Sequence, residues 1–189
     1  MILPIYVYGE PILREKTEDV PENTPALQEL IEDLIETMHG AAGIGLAAPQ
    51  VGRRERIFVI DLTPFEEDFQ KEGLDLPPQP MVFVNPHIVE EGEDDCEFEE
   101  GCLSIPDLRE AVIRPDEVRM RYLDRNFEPR ELHAIGLLAR VVQHEYDHLE
   151  GILFIDRISP IRRRLLRRRL REMAQGLVEA DYPLANGSS

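Results

Sequence analysis

The sequence predicts a single α+β domain over residues 1–189, with antiparallel β-sheets packed around a central helix at 137–149 and two further helices outside it. Three observations carry this expectation. Apolar residues recur at helical spacing in two long stretches, around 25–39 and 137–149. Short β-rich runs at 56–62, 81–85, 111–114, 117–123 and 129–134 are separated by Pro, Gly, Asn and Asp. Neither an internal repeat nor a domain linker interrupts the chain, and 189 residues are enough to bury one proper core.

The first 24 residues carry Pro4, Pro11 and Pro21 and read as extended or irregular, with the stretch 8–14 lying along the surface. Thr24 followed by Pro25 is a helix start, a hydroxyl cap and then proline at the first helical position. Leu27, Leu30, Ile31, Leu34, Ile35 and Met38 form its apolar stripe, which ends near Gly40. The stretch from Gly43 to Gly52 has small or apolar residues around one polar side chain, Gln50, and lacks the Gly-Lys-Ser/Thr ending of a phosphate loop. Gly43 and Gly45 would let a ligand approach the backbone closely. Residues 63–80, with four prolines, read as a loop, and 90–100, with eight acids in eleven positions, as a solvated loop or edge strand. The turn at Asp124-Arg125-Asn126 joins the last two strands. Ser159-Pro160 repeats the cap-plus-proline start, opening a basic amphipathic helix over 160–180 with Ile161, Leu165, Leu170, Met173 and Leu177 as its stripe. Residues 185–189 are expected to fray.

Composition narrows the function classes. With 42% apolar and 31% charged residues the chain reads as soluble and globular. No apolar run nears the ~18 residues of a membrane span, and the start has no basic leader, so the expected location is the cytoplasm with no membrane partner. Cys96 and Cys102 are too few for a disulfide scaffold. A formal net charge of −17 argues against DNA binding, yet residues 160–172 hold seven Arg and one Glu, which points to one directed contact.

The chemistry is concentrated in Gln143-His-Glu-Tyr-Asp-His148. On a helix, His144 and His148 lie one turn apart on one face and can reach the same metal ion, with Glu145 close enough to move the proton of a bound water. A catalytic site needs a third ligand and an open position. The downstream histidine of metzincin proteases is absent, with Phe154 in its place, and Glu172 and Glu179 lie in or beyond the arginine helix. Upstream, Cys102 sits after Gly101 in a short apolar turn. A thiolate and two imidazoles make a three-ligand site suited to Fe²⁺, Zn²⁺, Ni²⁺ or Co²⁺. Two rival readings are a zinc endopeptidase and a non-catalytic metal-binding module.

Three stretches together, Gly43-Ile-Gly-Leu-Ala-Ala-Pro-Gln50, Glu100-Gly-Cys-Leu-Ser104 and Gln143-His-Glu-Tyr-Asp-His148, resemble the signature motifs of the peptide deformylases, in the same order and at compatible spacing. The resemblance covers residues 1–172 and is closest to the bacterial type with a C-terminal helix. It implies an enzyme that removes the formyl group from the N-terminal methionine of new polypeptides and releases formate, using Fe²⁺ that Zn²⁺ or Ni²⁺ often replaces. It implies Cys102, His144 and His148 as metal ligands, and Glu145 as general base and acid for a metal-bound water. Gln50 and the backbone N–H of Leu103 would be oxyanion donors, each worth ~3 kcal/mol of barrier. Gly45 would offer a strand-like edge to the substrate peptide, and Ile44, Phe98, Leu137 and Val141 would line the methionine pocket. The arginine-rich helix would dock on the ribosome. His39, His87, His133 and Cys96 receive no role.

Overall fold

The computed structural model describes residues 1–185. Its frame is a five-stranded antiparallel sheet in the order β1 (Gly45–Ala47), β2 (Ile57–Ile60), β3 (Met81–Glu91), β6 (Glu117–Leu123) and β7 (Pro129–Ile135). Between β3 and β6 the chain leaves the sheet to form a separate hairpin, β4 (Asp95–Cys102) with β5 (Ile105–Pro115). Among the described residues four α-helices complete the fold: α1 (Pro25–Gly40), α2 (Glu66–Lys71), α3 (Gly136–Leu149) and α4 (Pro160–Ala174).

Both faces of the sheet are covered, which is why β2 is apolar at every position. Phe58 and Ile60 point toward α3 and pack with Phe83, Met120, Val141 and Val142. Ile57 and Val59 point the other way and pack with Leu30, Ile31, Leu34 and Met38 of α1. Phe58 and Phe83 stack with centroids 4.5 Å apart. Truncating Phe83, fully buried, to alanine would cost about 3–5 kcal/mol.

The caps read from sequence are formed. Thr24 Oγ1 accepts from Leu27 N at 3.1 Å, and Ser159 Oγ from Arg162 N at 3.2 Å. α3 has no side-chain cap and follows β7 directly through Gly136 at φ +57°. It is followed by Gly151 at φ +73°, a conformation where a side chain would be strained and where a Cβ would also meet the Arg14 carbonyl.

Several expectations need correction. The 63–80 stretch is not all loop: it makes a 3-10 turn at Thr63–Phe65 and the six-residue α2, which buries Phe69. The acidic run takes the edge-strand alternative, forming most of the largely exposed β4, whereas β5 begins at Ile105 rather than 111. Residues 48–51 coil into a 3-10 turn between β1 and β2. The basic helix ends at Ala174, not 180, because Gly176 adopts φ +79° and turns the chain back. Of the tail expected to fray, Ala185 instead donates its N–H to Ile5 O at 2.8 Å, and 186–189 lie outside the described residues. Among the described residues no helix is long and apolar enough to cross a membrane.

Candidate metal centre and catalytic cleft

The hairpin and α3 bring the three sequence-predicted ligands together. Cys102 is the last residue of β4, next to the two-residue turn Leu103-Ser104, and His144 and His148 lie one turn apart on α3. One donor atom from each lies within 4.8 Å of the other two. His148 Nε2 is 3.4 Å from Cys102 Sγ. A tetrahedral site with bonds of ~2.0–2.3 Å has donor–donor edges of about 3.3–3.6 Å, so this edge fits a metal without rearrangement. His144 Nδ1 is hydrogen-bonded to Glu100 Oε1 at 2.8 Å, which leaves Nε2 as the free donor. The downstream position is closed: Phe154 stacks on the His144 ring with centroids 6.0 Å apart.

Glu100 opens the second motif, but its role comes from contacts that the motif does not contain. It is buried and collects Arg114 Nε at 2.7 Å, Arg114 Nη2 at 2.9 Å and Arg140 Nη1 at 2.6 Å, besides His144. Arg114 also reaches Asp147 on α3 at 2.8 Å, and Arg157 grips the same carboxylate from beyond the helix. This network fixes the strand that carries Cys102 against the helix that carries the histidines. Burial alone would raise the Glu100 pKa, but the hydrogen bonds of His144 and Arg114 hold it far below the usual carboxylate range. Burial and the neighbouring His144 keep His148 well below its ordinary pKa, the neutral form a ligand needs. At His144 burial again opposes charge, but the adjoining Cys102 sulfur and Glu100 carboxylate outweigh it and raise the pKa well above the usual value.

Glu145 lies beside the centre with a different environment. It is buried, Oε2 has no hydrogen-bond partner among the described residues, and burial pushes its pKa up to about 7. A carboxylate titrating near neutrality can both take and return a proton. Gln50, 1% exposed, is held by its oxygen: Oε1 accepts from Ala47 N at 2.9 Å. Its Nε2 therefore turns toward Ser104 Oγ at 3.1 Å and Cys102 Sγ at 3.6 Å.

A cleft of about 960 Å³ opens over these groups. Ile44, Phe98, Leu137 and Val141 all line it, as do Gly45 and Leu103. Phe98 is half exposed at the rim, whereas Val141 is buried. Phe65, from the turn at Thr63–Phe65, and Tyr182, from the segment after α4, line it as well. Among the described residues β1 is an edge strand paired only with β2, and its other backbone side is open to an extended peptide. The unassigned histidines are elsewhere: His39 pairs with Asp61 and His133 with Glu117, both exposed. Cys96 is a free thiol with Sγ 3.3 Å from Arg140 Nη2.

Residues 2–164 match the family model described as polypeptide deformylase. The chain is 67% identical to the peptide deformylase of Salinibacter ruber over 184 residues, which is 97% of this chain and 94% of that one. The crystal structure of peptide deformylase from Ehrlichia chaffeensis superposes with a TM-score of 0.83 at 34% identity, covering 94% of this chain and all 100% of that chain. The same enzyme in complex with actinonin gives 0.81 at 33% identity over 91% and 97%.

Proposed function

The chain belongs to the polypeptide deformylase family and is a metalloenzyme that removes the N-formyl group from nascent polypeptides; from that premise we propose how its own residues divide the work. The observation that carries the reading is the convergence of Cys102, His144 and His148 beside a buried Glu145 with a free carboxylate oxygen.

Cys102, His144 and His148 would hold the metal; a thiolate beside two imidazoles suits Fe²⁺, Zn²⁺, Ni²⁺ or Co²⁺, and the family resemblance singles out Fe²⁺ among them. When bound, a divalent ion would supply Lewis acidity that makes water a better nucleophile and the formyl group a better electrophile. Glu145 takes one proton from the attacking water and delivers it to the departing nitrogen. The new bond is O–C to the formyl carbon, the C–N bond breaks, and formate and a free N-terminal amine leave. Gln50 Nε2 and the Leu103 N–H donate to the oxygen on which negative charge develops, an effect worth ~3 kcal/mol per donor. The free edge at Gly45 pairs with the peptide backbone. Ile44, Phe98, Leu137 and Val141 receive the unbranched methionine side chain, for which a deep apolar slot is the complementary shape. We place the enzyme in the cytoplasm, where nascent chains emerge, with the arginine face of α4 as its ribosome contact.

The test is formate release from formyl-Met-Ala-Ser by anaerobically prepared Fe²⁺ protein beside its Glu145→Gln variant. Rapid release by the parent, and a loss of 10²-fold or more in the variant at equal metal content, is the expected result. A fully loaded variant with parental activity would remove Glu145 from the mechanism.

A further inference from the structure

The segment after α4 lies beyond the residues matched by the family model, yet it returns to the cleft. It is anchored on the first strand-like residues of the chain: Ile5 N donates to Pro183 O at 2.9 Å and Ala185 N to Ile5 O at 2.8 Å. Tyr182, one residue before this anchor, packs with Leu103 and Leu184 against the α1 side of the core. Its phenol donates to Leu103 O at 2.7 Å.

Leu103 and Ser104 are the whole turn between Cys102 and Ile105, which pair across the hairpin. The Ser104 half of that turn is held twice, Ser104 O by Tyr8 N at 2.8 Å and Ser104 Oγ by Gln50 Nε2 at 3.1 Å. The Leu103 side chain is confined by Gly43, where a Cβ would lie 2.8 Å from Leu103 Cδ1. The Tyr182 hydroxyl in turn holds the Leu103 carbonyl, the second peptide plane of the turn. The Leu103 N–H and C=O lie in two peptide planes hinged at one α-carbon, and with Cys102 paired to Ile105 across the turn, holding the second plane leaves the first little room to rotate.

We propose that Tyr182 is a positioning residue for deformylation: by holding Leu103 O it aims the Leu103 N–H at the oxyanion. This rests on the role given to Leu103 in the proposed function. A donor must sit about 2.7–3.1 Å from the developing charge, and a displacement of ~1 Å can cost as much as 10²-fold.

The experiment compares Tyr182→Phe and Tyr182→Ala with the parent, all as full-length chains loaded with Ni²⁺, using formyl-Met-Ala-Ser. In the Phe variant kcat falls about tenfold, a fraction of the loss for deleting a donor outright. Its KM stays within about twofold and its metal content and Tm match the parent, because the ring and its packing remain. In the Ala variant, which also loses a piece of the cleft wall, KM rises as well. A Phe variant with parental kcat overturns the proposal, and so does a loss that follows Tm or metal content, since that assigns the hydroxyl to stability. A metal-loaded parent that releases no formate overturns the functional reading instead, so the two failures are told apart by the parent alone.

Discussion

Gly45 on the edge strand and Glu145 on α3 face each other with no space between them: a Cβ at position 45 would lie 2.8 Å from the Glu145 carboxyl carbon and 2.9 Å from its Cγ. The backbone at 45 is ordinary strand, so the requirement for glycine comes from the carboxylate opposite rather than from φ. Alanine there would push Glu145 off the position beside Cys102, His144 and His148 on which its proposed role depends. Gly45→Ala should lower kcat/KM by 10²-fold or more while metal content is kept, with a stability loss of about 1–2 kcal/mol from overpacking. Steady-state kinetics with metal analysis checks this, and an alanine variant within threefold of the parent would show that Glu145 is free to move.

Glu100 balances two buried arginines and orients His144. Glu100→Gln removes the charge that both arginines face and places an amide where only an acceptor fits. Stability should fall by about 3 kcal/mol in chemical denaturation, as expected for breaking a buried ion network by removing one partner. Metal affinity, read by chelator competition, should fall ten- to a hundredfold, since the ligand loses its orienting acceptor. Unchanged affinity would confine Glu100 to a structural role.

What could be read from the sequence was what is local in it. The helical period of Leu27 to Met38, the Thr24 and Ser159 caps, and the i,i+4 spacing of His144 and His148 each lie within one short, continuous stretch of chain. The start of β5 was missed because its inward face alternates Leu108 and Val112 with the buried charges Glu110 and Arg114, which break the apolar pattern. Those charges are satisfied by partners remote in sequence, Arg162 for Glu110 and Asp147 for Arg114, and no local window contains them. The short α2 escaped notice because six residues give fewer than two helical turns of pattern, marked only by Phe65 and Phe69. The part played by Tyr182 needs the whole fold, since 79 positions separate it from Leu103.

Asp156 sets a pH dependence of stability. It caps the turn at Leu153 N and pairs with Arg14 and Arg163. Burial raises its pKa, but the Arg14 hydrogen bond and the Leu153 N–H outweigh this and the net shift is downward. A carboxyl with a depressed folded pKa stabilises above its unfolded value of about 3.9, and this contribution fades as pH falls through the folded value. Asp156→Asn should therefore lower stability by about 1 kcal/mol at pH 7, discounted for partial exposure. The gap between parent and variant should narrow as pH falls below the unfolded value of about 3.9 and through the depressed folded value. Thermal unfolding of both proteins across pH 2.5–7 checks this, and a gap that widens in acid contradicts it.

The ribosome contact is a question about one face of α4. Leu166, Leu170 and Met173 bury the opposite face in the core, so deleting the helix would damage the fold and could not isolate a docking role. Arg162, Arg163 and Arg168 are engaged with Glu110, Asp156 and Glu172. Arg164, Arg167 and Arg171, at i, i+3 and i+7, make no ion pair among the described residues and line a shallow groove beside Tyr8. A clustered, uncompensated set of guanidinium groups on a chain of net charge −17 is suited to phosphate and should respond strongly to salt. Replacing all three by Gln keeps helix propensity and leaves the cleft untouched, so deformylation of a free formyl-tripeptide should be unchanged. Co-sedimentation with ribosomes at low salt should be lost. Where residual binding is measurable, the slope of log K against log salt should be shallower by about two to three. Undiminished co-sedimentation would make these arginines a solvated face whose stems cover apolar surface.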